Sequence, residues 1–268
     1  MNNSIFLRIA GFDFKVNFIQ TEKSYSREQF KQKFIDKYFG FIKKTVKDNP
    51  DFTIDIINTL DVETIYKKKK RAFFMLTFLL KGENTVQTFY HVSLVQLSMI
   101  LNKVLQVLLI KNKGFLMHAS AVAIGSSMAF IFTGPSGAGK STIMKLLNSR
   151  YKPLADDSVI IKKENDKYYL YQTPMIEKVS WIKKNDKKYK IAKICFLKKE
   201  KNFFINRVDD KSYILPKLVE QLFAGKQKSK NEYLGIMRFV KEFDQFHILS
   251  FAKNKENLLN FFEKLPND

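Results

Sequence analysis

The sequence predicts an α/β fold in two parts: a mixed α+β region over residues 1–112, and a region over 113–268 built around a strand, a glycine-rich loop and a helix. Three observations lead there. Short apolar or alternating runs, which mark strands, are interleaved with segments of helical apolar spacing. The pattern breaks at Lys111-Asn112-Lys113-Gly114, which reads as a joint between domains. Beyond the joint, Gly134-Pro135-Ser136-Gly137-Ala138-Gly139-Lys140-Ser141-Thr142 fits G-x-x-x-x-G-K-[ST] at every position, the Walker A pattern.

In the first region, Ile5–Ala10 and Phe12–Phe18 read as strands about Gly11. Phe14, Val16 and Phe18 alternate with Lys15 and Asn17, as in a half-buried strand. A helix is expected over Ser26–Val46, because Phe30, Phe34, Tyr38 and Ile42 recur every four residues and Ser26 and Gln29 have capping-box spacing. Phe52–Ile57, Ala72–Leu80 and Thr85–His91 read as strands, the last two joined by a turn at Gly82-Glu83-Asn84. Ser93–Ile110 reads as a helix with a wide apolar face, and Ser93 and Gln96 repeat the capping-box spacing.

In the second region, Phe115–Ile124 is expected as one strand, Gly125-Ser126-Ser127 as a turn and Met128–Thr133 as the strand feeding the glycine loop. Ile143, Met144, Leu146 and Leu147 give the segment after the loop an apolar helical side. Pro153–Ile161 reads as a strand or strand pair carrying two acids, followed by strands at Tyr168–Gln172 and Ala192–Leu197. A helix over Leu215–Phe223, a strand over Phe246–Phe251 and a helix over Lys255–Leu265 complete the chain.

Composition narrows the class. With 268 residues and 45% hydrophobic content the chain can bury a real core. Cys195 is the only cysteine, which excludes a disulfide framework and a cysteine metal site and fits a reducing, cytoplasmic setting. The first residues lack the pattern of a signal peptide. The longest apolar run, Ala72–Leu80, is too short to span a bilayer, so no transmembrane segment is expected. The net charge of +21 is nearly all lysine, since six of the 47 basic residues are arginine. The lysines are scattered, and the densest cluster, Lys67-Lys68-Lys69-Lys70-Arg71, has no interleaved aromatics to stack bases. Nucleic acid is therefore not the expected partner; a phosphorylated or acidic ligand suits the charge better.

The loop carries the chemistry. Its three glycines let the backbone bend tightly and turn N–H groups toward an anion, and the helix that follows adds the positive end of its dipole. Lys140 would reach the β- and γ-phosphates of a nucleoside triphosphate, and Ser141 would place its hydroxyl on Mg²⁺, with Thr142 beside it. A transferase needs carboxylates as well. Asp156-Asp157 is the candidate pair, with a solvated acidic turn as the alternative. On an extended strand the two would point to opposite faces, whereas a loop or bulge could aim both at one site. His118, in the apolar segment Phe115–Val122, is a second candidate, with a hydrogen-bonded core histidine as its alternative.

His118-Ala119-Ser120, the loop Gly134–Thr142 and Ala155-Asp156-Asp157 together resemble the catalytic core of HPr serine kinases and their kinase-like relatives. That family shares its phosphate-loop fold with phosphoenolpyruvate carboxykinases. The opening Ile9-Ala10-Gly11-Phe12-Asp13-Phe14 is similar to HPr-kinase-like proteins found beside peptide-modification genes. The resemblance implies an ATP-dependent kinase that phosphorylates a hydroxyl, expected to be serine, on a peptide, small protein or small molecule. It implies phosphate binding by Lys140 and the loop amides, and Mg²⁺ held by Ser141 and one aspartate. The other aspartate is then the base, with Asp156 favoured as base and Asp157 as metal partner, and His118 borders the transferred group. Relatives form hexamers, which leaves a homo-oligomer open. One departure is clear: the glycine- and arginine-containing signature of HPr kinases that also remove phosphate is missing. Tyr171-Gln172-Thr173-Pro174-Met175-Ile176-Glu177-Lys178 stands in its place, which argues against phosphorylase activity and against HPr as acceptor.

A non-catalytic nucleotide-binding or peptide-binding module is the alternative reading. A transport or motor ATPase lacks support, since the chain has no L-S-G-G-Q-like segment and no apolar strand ending in Asp-Glu.

Overall fold

The structure is a computed structural model, described for residues 4–20, 28–58, 79–89, 93–175, 179, 181–222 and 229–265. The chain divides into two compact units, Met1–Leu105 and Gln106–Asp268. The expected strand Ala72–Leu80, apart from Leu79–Leu80, lies outside the described residues, as do Ser26, His91 and the Lys67–Arg71 cluster.

The first unit is a mixed six-stranded sheet, β3-β1-β2-β4-β6-β5, whose edge strand β5 is Leu79–Leu80, accompanied by helices. Strands β1 (Ser4–Ile9) and β2 (Phe12–Gln20) form a hairpin whose turn is Ala10-Gly11. Strand β2 runs parallel to β4 (Phe52–Asn58), and β4 parallel to β6 (Thr85–Phe89). The alternation read in the sequence is the burial pattern: Phe14, Val16 and Phe18 are buried while Lys15 and Asn17 are half-buried. Helix α1 (Glu28–Tyr38) sets the Phe34 ring edge-on to Phe18, with centroids 6.0 Å apart. The helix expected as far as Val46 stops at Tyr38. Phe39–Phe41 forms a 3₁₀ turn, and β3 (Ile42–Lys43) pairs Ile42 with Leu7. The four-residue spacing runs on past the helix because Ile42, half-buried, serves sheet pairing instead; Gly40 in the turn is a poor helix former.

Helix α2 (Leu94–Lys111) starts where the capping box predicts. The Ser93 N–H donates to Gln96 Oε1 (3.0 Å), and the Gln96 N–H donates to Ser93 Oγ (3.3 Å). Among the described residues it is the one helix long and apolar enough to cross a membrane, with a mean hydropathy of 1.5 over 18 residues. Leu97, Leu101, Leu105 and Leu109 on it are nonetheless buried within the fold.

The second unit is built on a nine-stranded sheet. Strands β9 (Met128–Thr133), β13 (Lys188–Lys199) and β15 (Phe246–Phe251) are parallel, with β13 between the other two. On the β9 side, β8 (Ser120–Ile124) and β10 (Pro153–Ala155) continue the sheet. The first residues of β13 also pair with β12 (Lys167–Gln172), which leads to β11 (Ser158–Glu164) and β7 (Gly114–His118). The strand expected over Phe115–Ile124 is thus two strands, broken at Ala119, because its halves pair in different branches of the sheet.

Side chains alternate between two apolar layers. Phe130, Phe132, Cys195 and Leu249 pack with helices α3 (Lys140–Leu147) and α6 (Lys255–Glu263) through Ile143, Leu147 and Phe262. Ile131, Ile194, Phe196 and Phe246 pack with α4 (Lys211–Glu220) and α5 (Lys230–Glu242) through Leu218, Ile236 and Phe239. Helix α4 begins four residues before the expected Leu215, capped by Asp210, whose carboxylate accepts from the Ser212 N–H at 2.9 Å; Phe223 lies outside the described residues. Helix α5, capped by the Ser229/Glu232 box, has no counterpart in the sequence reading.

Candidate functional site

Strand β9 ends at Thr133, beside Phe196 of β13, and the chain turns into the glycine loop at the carboxyl end of the parallel strands. In open α/β sheets ligands bind in the crevice at that end. The loop is tightly built. Gly134 has φ 148°, and a Cβ there would lie 3.0 Å from the Ala138 Cβ. Gly139 has φ 104°, and a Cβ there would lie 2.7 Å from Phe251 Cζ. A side chain at Gly139 would meet a ring that is itself buried at the end of β15. Gly139 is the N-cap of α3 and supplies no side-chain cap, and a helix N-terminus is a position that favours an anion.

The Lys140 ammonium folds back over the loop, donating to the carbonyls of Gly134 (2.5 Å) and Pro135 (3.1 Å). It therefore already stands at the mouth of the cradle. From the other side, Ser120 Oγ donates to the Lys140 carbonyl at 2.8 Å and ties the first turn of α3 to β8.

His118 is the last residue of β7, immediately before the break at Ala119. Its N–H donates to the Gln221 carbonyl (2.7 Å), and Thr133 Oγ1 donates to the His118 carbonyl (3.4 Å). Asp156-Asp157 forms the bend between β10 and β11. Ala155 pairs with Ala121, whereas Ser158 pairs with His118, so the acid bend crosses between branches of the sheet beside the Ala119 break. The main chain fastens the two crossings: the Asp157 carbonyl accepts from the Ala119 N–H (3.2 Å) and lies 3.3 Å from His118 Nδ1. Asp156 is buried and Asp157 half-buried. The pair therefore sits in a bend, and the strict opposition of neighbouring strand residues does not apply to it.

Three segments read separately in the sequence are thus joined within one or two hydrogen bonds. Loop and helix residues Gly134, Pro135, Ser136, Gly137, Ala138, Gly139, Lys140, Ser141 and Thr142 lie on one side of the His118–Ser120 crossing, and Asp156 and Asp157 lie on the other. Thr173 and Pro174, at the end of β12, are buried next to this region, with Ser158 Oγ 3.1 Å from Thr173 Oγ1; Glu177 lies outside the described residues. Arg207 is directed elsewhere. It pairs with Asp209 (2.9 Å) and Asp244 (3.3 Å) and sits beside His247, near the opposite end of β15 from the loop. Arg238 lies on α5.

Among the described residues no three His, Cys, Asp or Glu side chains cluster as a metal site. A divalent ion here would rely on the Ser141 hydroxyl, one carboxylate of the pair, phosphate oxygens and water. Mg²⁺ is commonly held in that way, keeping several waters beside phosphates. The close approach at Gly134 and Gly139, the helix start without a side-chain cap and Lys140 folded over the loop fit a polyphosphate.

Two clefts flank the loop. One, of about 420 Å³, is bordered by Gly134 and Pro135 and runs toward Tyr213, Lys217 and Gln221 of the α4 segment. The other, of about 580 Å³, is bordered by Gly139 and Thr142 and runs toward Phe251 and Lys253. Ser120, Gln221 and Phe251 were not read as site residues. Ser120 belongs to the His118-Ala119-Ser120 motif, but Gln221 and Phe251 come from distant segments with no motif of their own.

Fold and site together define a mixed α/β protein with a strand–glycine loop–helix unit at the carboxyl edge of a parallel sheet core. Residues 83–213 match a family model described as SynChlorMet cassette protein ScmC. The match spans just under half of the chain and includes His118, the loop and the acid bend. Among solved structures the chain is similar to the HPr(Ser) kinase/phosphatase from Coxiella burnetii, at 15% identity and a TM-score of 0.31, over 55% of this chain and 91% of that one. A search of curated proteins finds no match.

Proposed function

We propose that this chain is an ATP-dependent, Mg²⁺-requiring kinase of the HPr-kinase-like type that transfers the γ-phosphoryl group to a serine hydroxyl. The observation that carries the proposal is the junction of the glycine loop, His118 and Asp156-Asp157 through Ser120, Thr133 and the Asp157 carbonyl. A phosphate cradle alone would suit any nucleotide binder; an acid-bearing bend tied through main-chain bonds to the strand segment that also holds the start of the loop helix favours transfer.

In this reading Lys140 and the loop amides bind the phosphates, and a bound Mg²⁺ would supply further charge neutralisation. Ser141 and Asp157 would hold the metal. Asp156 takes the proton of the acceptor hydroxyl as its oxygen bonds to the γ-phosphorus. The bond from that phosphorus to the β–γ bridging oxygen breaks, and ADP leaves with the electron pair. His118, held by Gln221 and Asp157 main-chain groups, orients the transferred group. The protein's contribution is positioning and charge neutralisation, with no covalent intermediate.

The test is incubation with Mg²⁺, γ-labelled ATP and a pool of serine peptides. Label should move to peptide with the wild type and stay in ATP with Asp156→Asn. If the wild type binds ATP and every acceptor stays unlabelled, the chain is instead a nucleotide-binding module.

A further inference from the structure

Tyr171-Gln172-Thr173-Pro174, at the start of the segment that stands where the HPr-kinase signature would be, carries a side chain tied to the acid bend. Gln172 is the last residue of β12 and is 1% exposed. It holds the bend from both ends. Its main chain pairs with Val159 near the start of β11, which sets where the chain goes after Asp157 and Ser158. Its side-chain Nε2 donates to the Leu154 carbonyl at 2.7 Å, just before Ala155-Asp156. One residue thereby brackets the two carboxylates.

Leu154 is the point at which the bend is aimed. Pro153 pairs with Val122 and Ala155 with the adjacent Ala121, so Leu154 is an extra residue on β10. Such a β-bulge bends its strand and re-aims the side chains beside it, and bulges are common next to active sites. Here the bulge sets how Ala155-Asp156 leave the sheet, and the Gln172 carboxamide is bonded to the bulge carbonyl.

The carboxamide is itself fixed. Nε2 also donates to the Lys183 carbonyl (3.3 Å), and Oε1 accepts from the Asn185 N–H (2.9 Å). Donors and acceptor are all engaged, as burial of an amide requires. Between those two residues, Lys184 reaches back: its Nζ donates to the carbonyls of Thr173 (2.7 Å) and Met175. Residues 172–175 and 183–185 thus clasp each other, side chain to main chain in both directions. Thr173 returns to the bend, with its Oγ1 3.1 Å from the Oγ of Ser158, the neighbour of Asp157. A neutral amide suits this place. A carboxylate would offer no donor to the Leu154 and Lys183 carbonyls and would bury a further negative charge on the strand that brackets the acids.

We propose that Gln172 is a positioning residue for phosphoryl transfer: through the Leu154 bulge it holds Asp156 where the acceptor hydroxyl meets the γ-phosphate. This rests on the kinase reading above. The side-chain bonds of Gln172 run to Leu154, Lys183 and Asn185 and not to the glycine loop, so its loss acts on transfer and spares nucleotide binding.

Two substitutions in the full chain test it. Gln172→Met keeps the bulk and removes donors and acceptor; Gln172→Glu keeps the shape and the acceptor oxygens and removes the donors. Mg-ATP affinity is measured by equilibrium titration, transfer by single-turnover labelling of a pool of serine peptides with γ-labelled ATP, and folding by thermal melts. Affinity should stay within about twofold of the wild type. Labelling should slow about 100-fold, as a misplaced catalytic group costs, and more for Gln172→Glu than for Gln172→Met. In an Asp156→Asn background Gln172→Met should slow labelling little further, because the group it positions is gone. Should the Gln172 variants fail to fold, Lys184→Met, at a half-buried position, decides by the same split, with labelling about tenfold slower and affinity unchanged. Wild-type labelling by a folded variant, affinity and labelling that fall in equal proportion, or a full further loss in the Asp156→Asn background each overturns the positioning role and leaves the kinase reading standing. A wild type that binds Mg-ATP and labels no peptide overturns the kinase reading, and the positioning role with it.

Discussion

The Ser120 hydroxyl donates a 2.8 Å hydrogen bond to the main-chain carbonyl of Lys140, tying the strand after the His118 crossing to the first turn of the helix that follows the glycine loop. Ser120 is fully buried, and the bond fixes where Lys140 and its neighbours' N–H groups stand. Ser120→Ala should cost about 1 kcal/mol and weaken nucleotide affinity roughly fivefold. Calorimetric titration together with a thermal melt separates the two effects. Unchanged affinity would mean that the loop holds its shape without this tie.

Gly139→Ala should be far worse than an ordinary loop substitution. The new Cβ would lie 2.7 Å from Phe251 Cζ at a φ of 104°. Strain and clash together should cost about 2–4 kcal/mol. A second change, Phe251→Leu, would relieve the clash and leave the backbone strain, so only part of the loss should return. Denaturant unfolding of the single and double variants measures this.

Much of this was legible in the sequence because it is local. The loop pattern and the strand that feeds it fall where expected, Met128–Thr133, and the Ser93/Gln96 box marks the start of α2. What was not legible depends on pairing at a distance. The break at Ala119 exists because His118 pairs with Ser158 while Ser120 pairs with Phe132, and nothing within Phe115–Ile124 announces it. The overrun of α1 past Tyr38 has the same cause, since Ile42 serves a sheet rather than a helix. The site was half legible: its motifs could be named, but Gln221 and Phe251, which buttress His118 and Gly139, lie far along the chain.

The two aspartates should separate by role. Asp156→Asn is expected to spare Mg-ATP binding and slow transfer by about 10²–10⁴-fold, as loss of a general base does. Asp157→Asn should instead raise the Mg²⁺ concentration needed for half-maximal turnover. Turnover that survives Asp156→Asn and vanishes with Asp157→Asn would exchange the two roles.

Acid stability should depend on Glu164, away from the candidate site. Burial would raise its pKa, but hydrogen bonds from Lys162, Tyr171 and Lys188 outweigh this and hold it at about 2, against 4.5 ordinarily. The carboxylate is only 24% exposed and lies 2.8 Å from Lys162 and 2.9 Å from Lys188. Because the folded pKa is depressed, the contribution is fully present above pH 4.5 and is lost as pH falls toward 2. It amounts to at most about 3 kcal/mol. Glu164→Gln should therefore lower stability at pH 7 and flatten its pH dependence between those limits, as followed by urea unfolding. A variant with the wild-type acid profile would remove Glu164 from the account.

The central claim is that the loop around Lys140 is a working nucleotide cradle. Equilibrium titration of the full chain with Mg-ATP, wild type beside Lys140→Ala, tests it most directly. The wild type should bind one Mg-ATP saturably, and the variant should lose about 100-fold or more in affinity, since charge-assisted bonds to the phosphates go with the ammonium. No saturable binding by the wild type, or equal binding by a folded Lys140→Ala variant, would contradict the account.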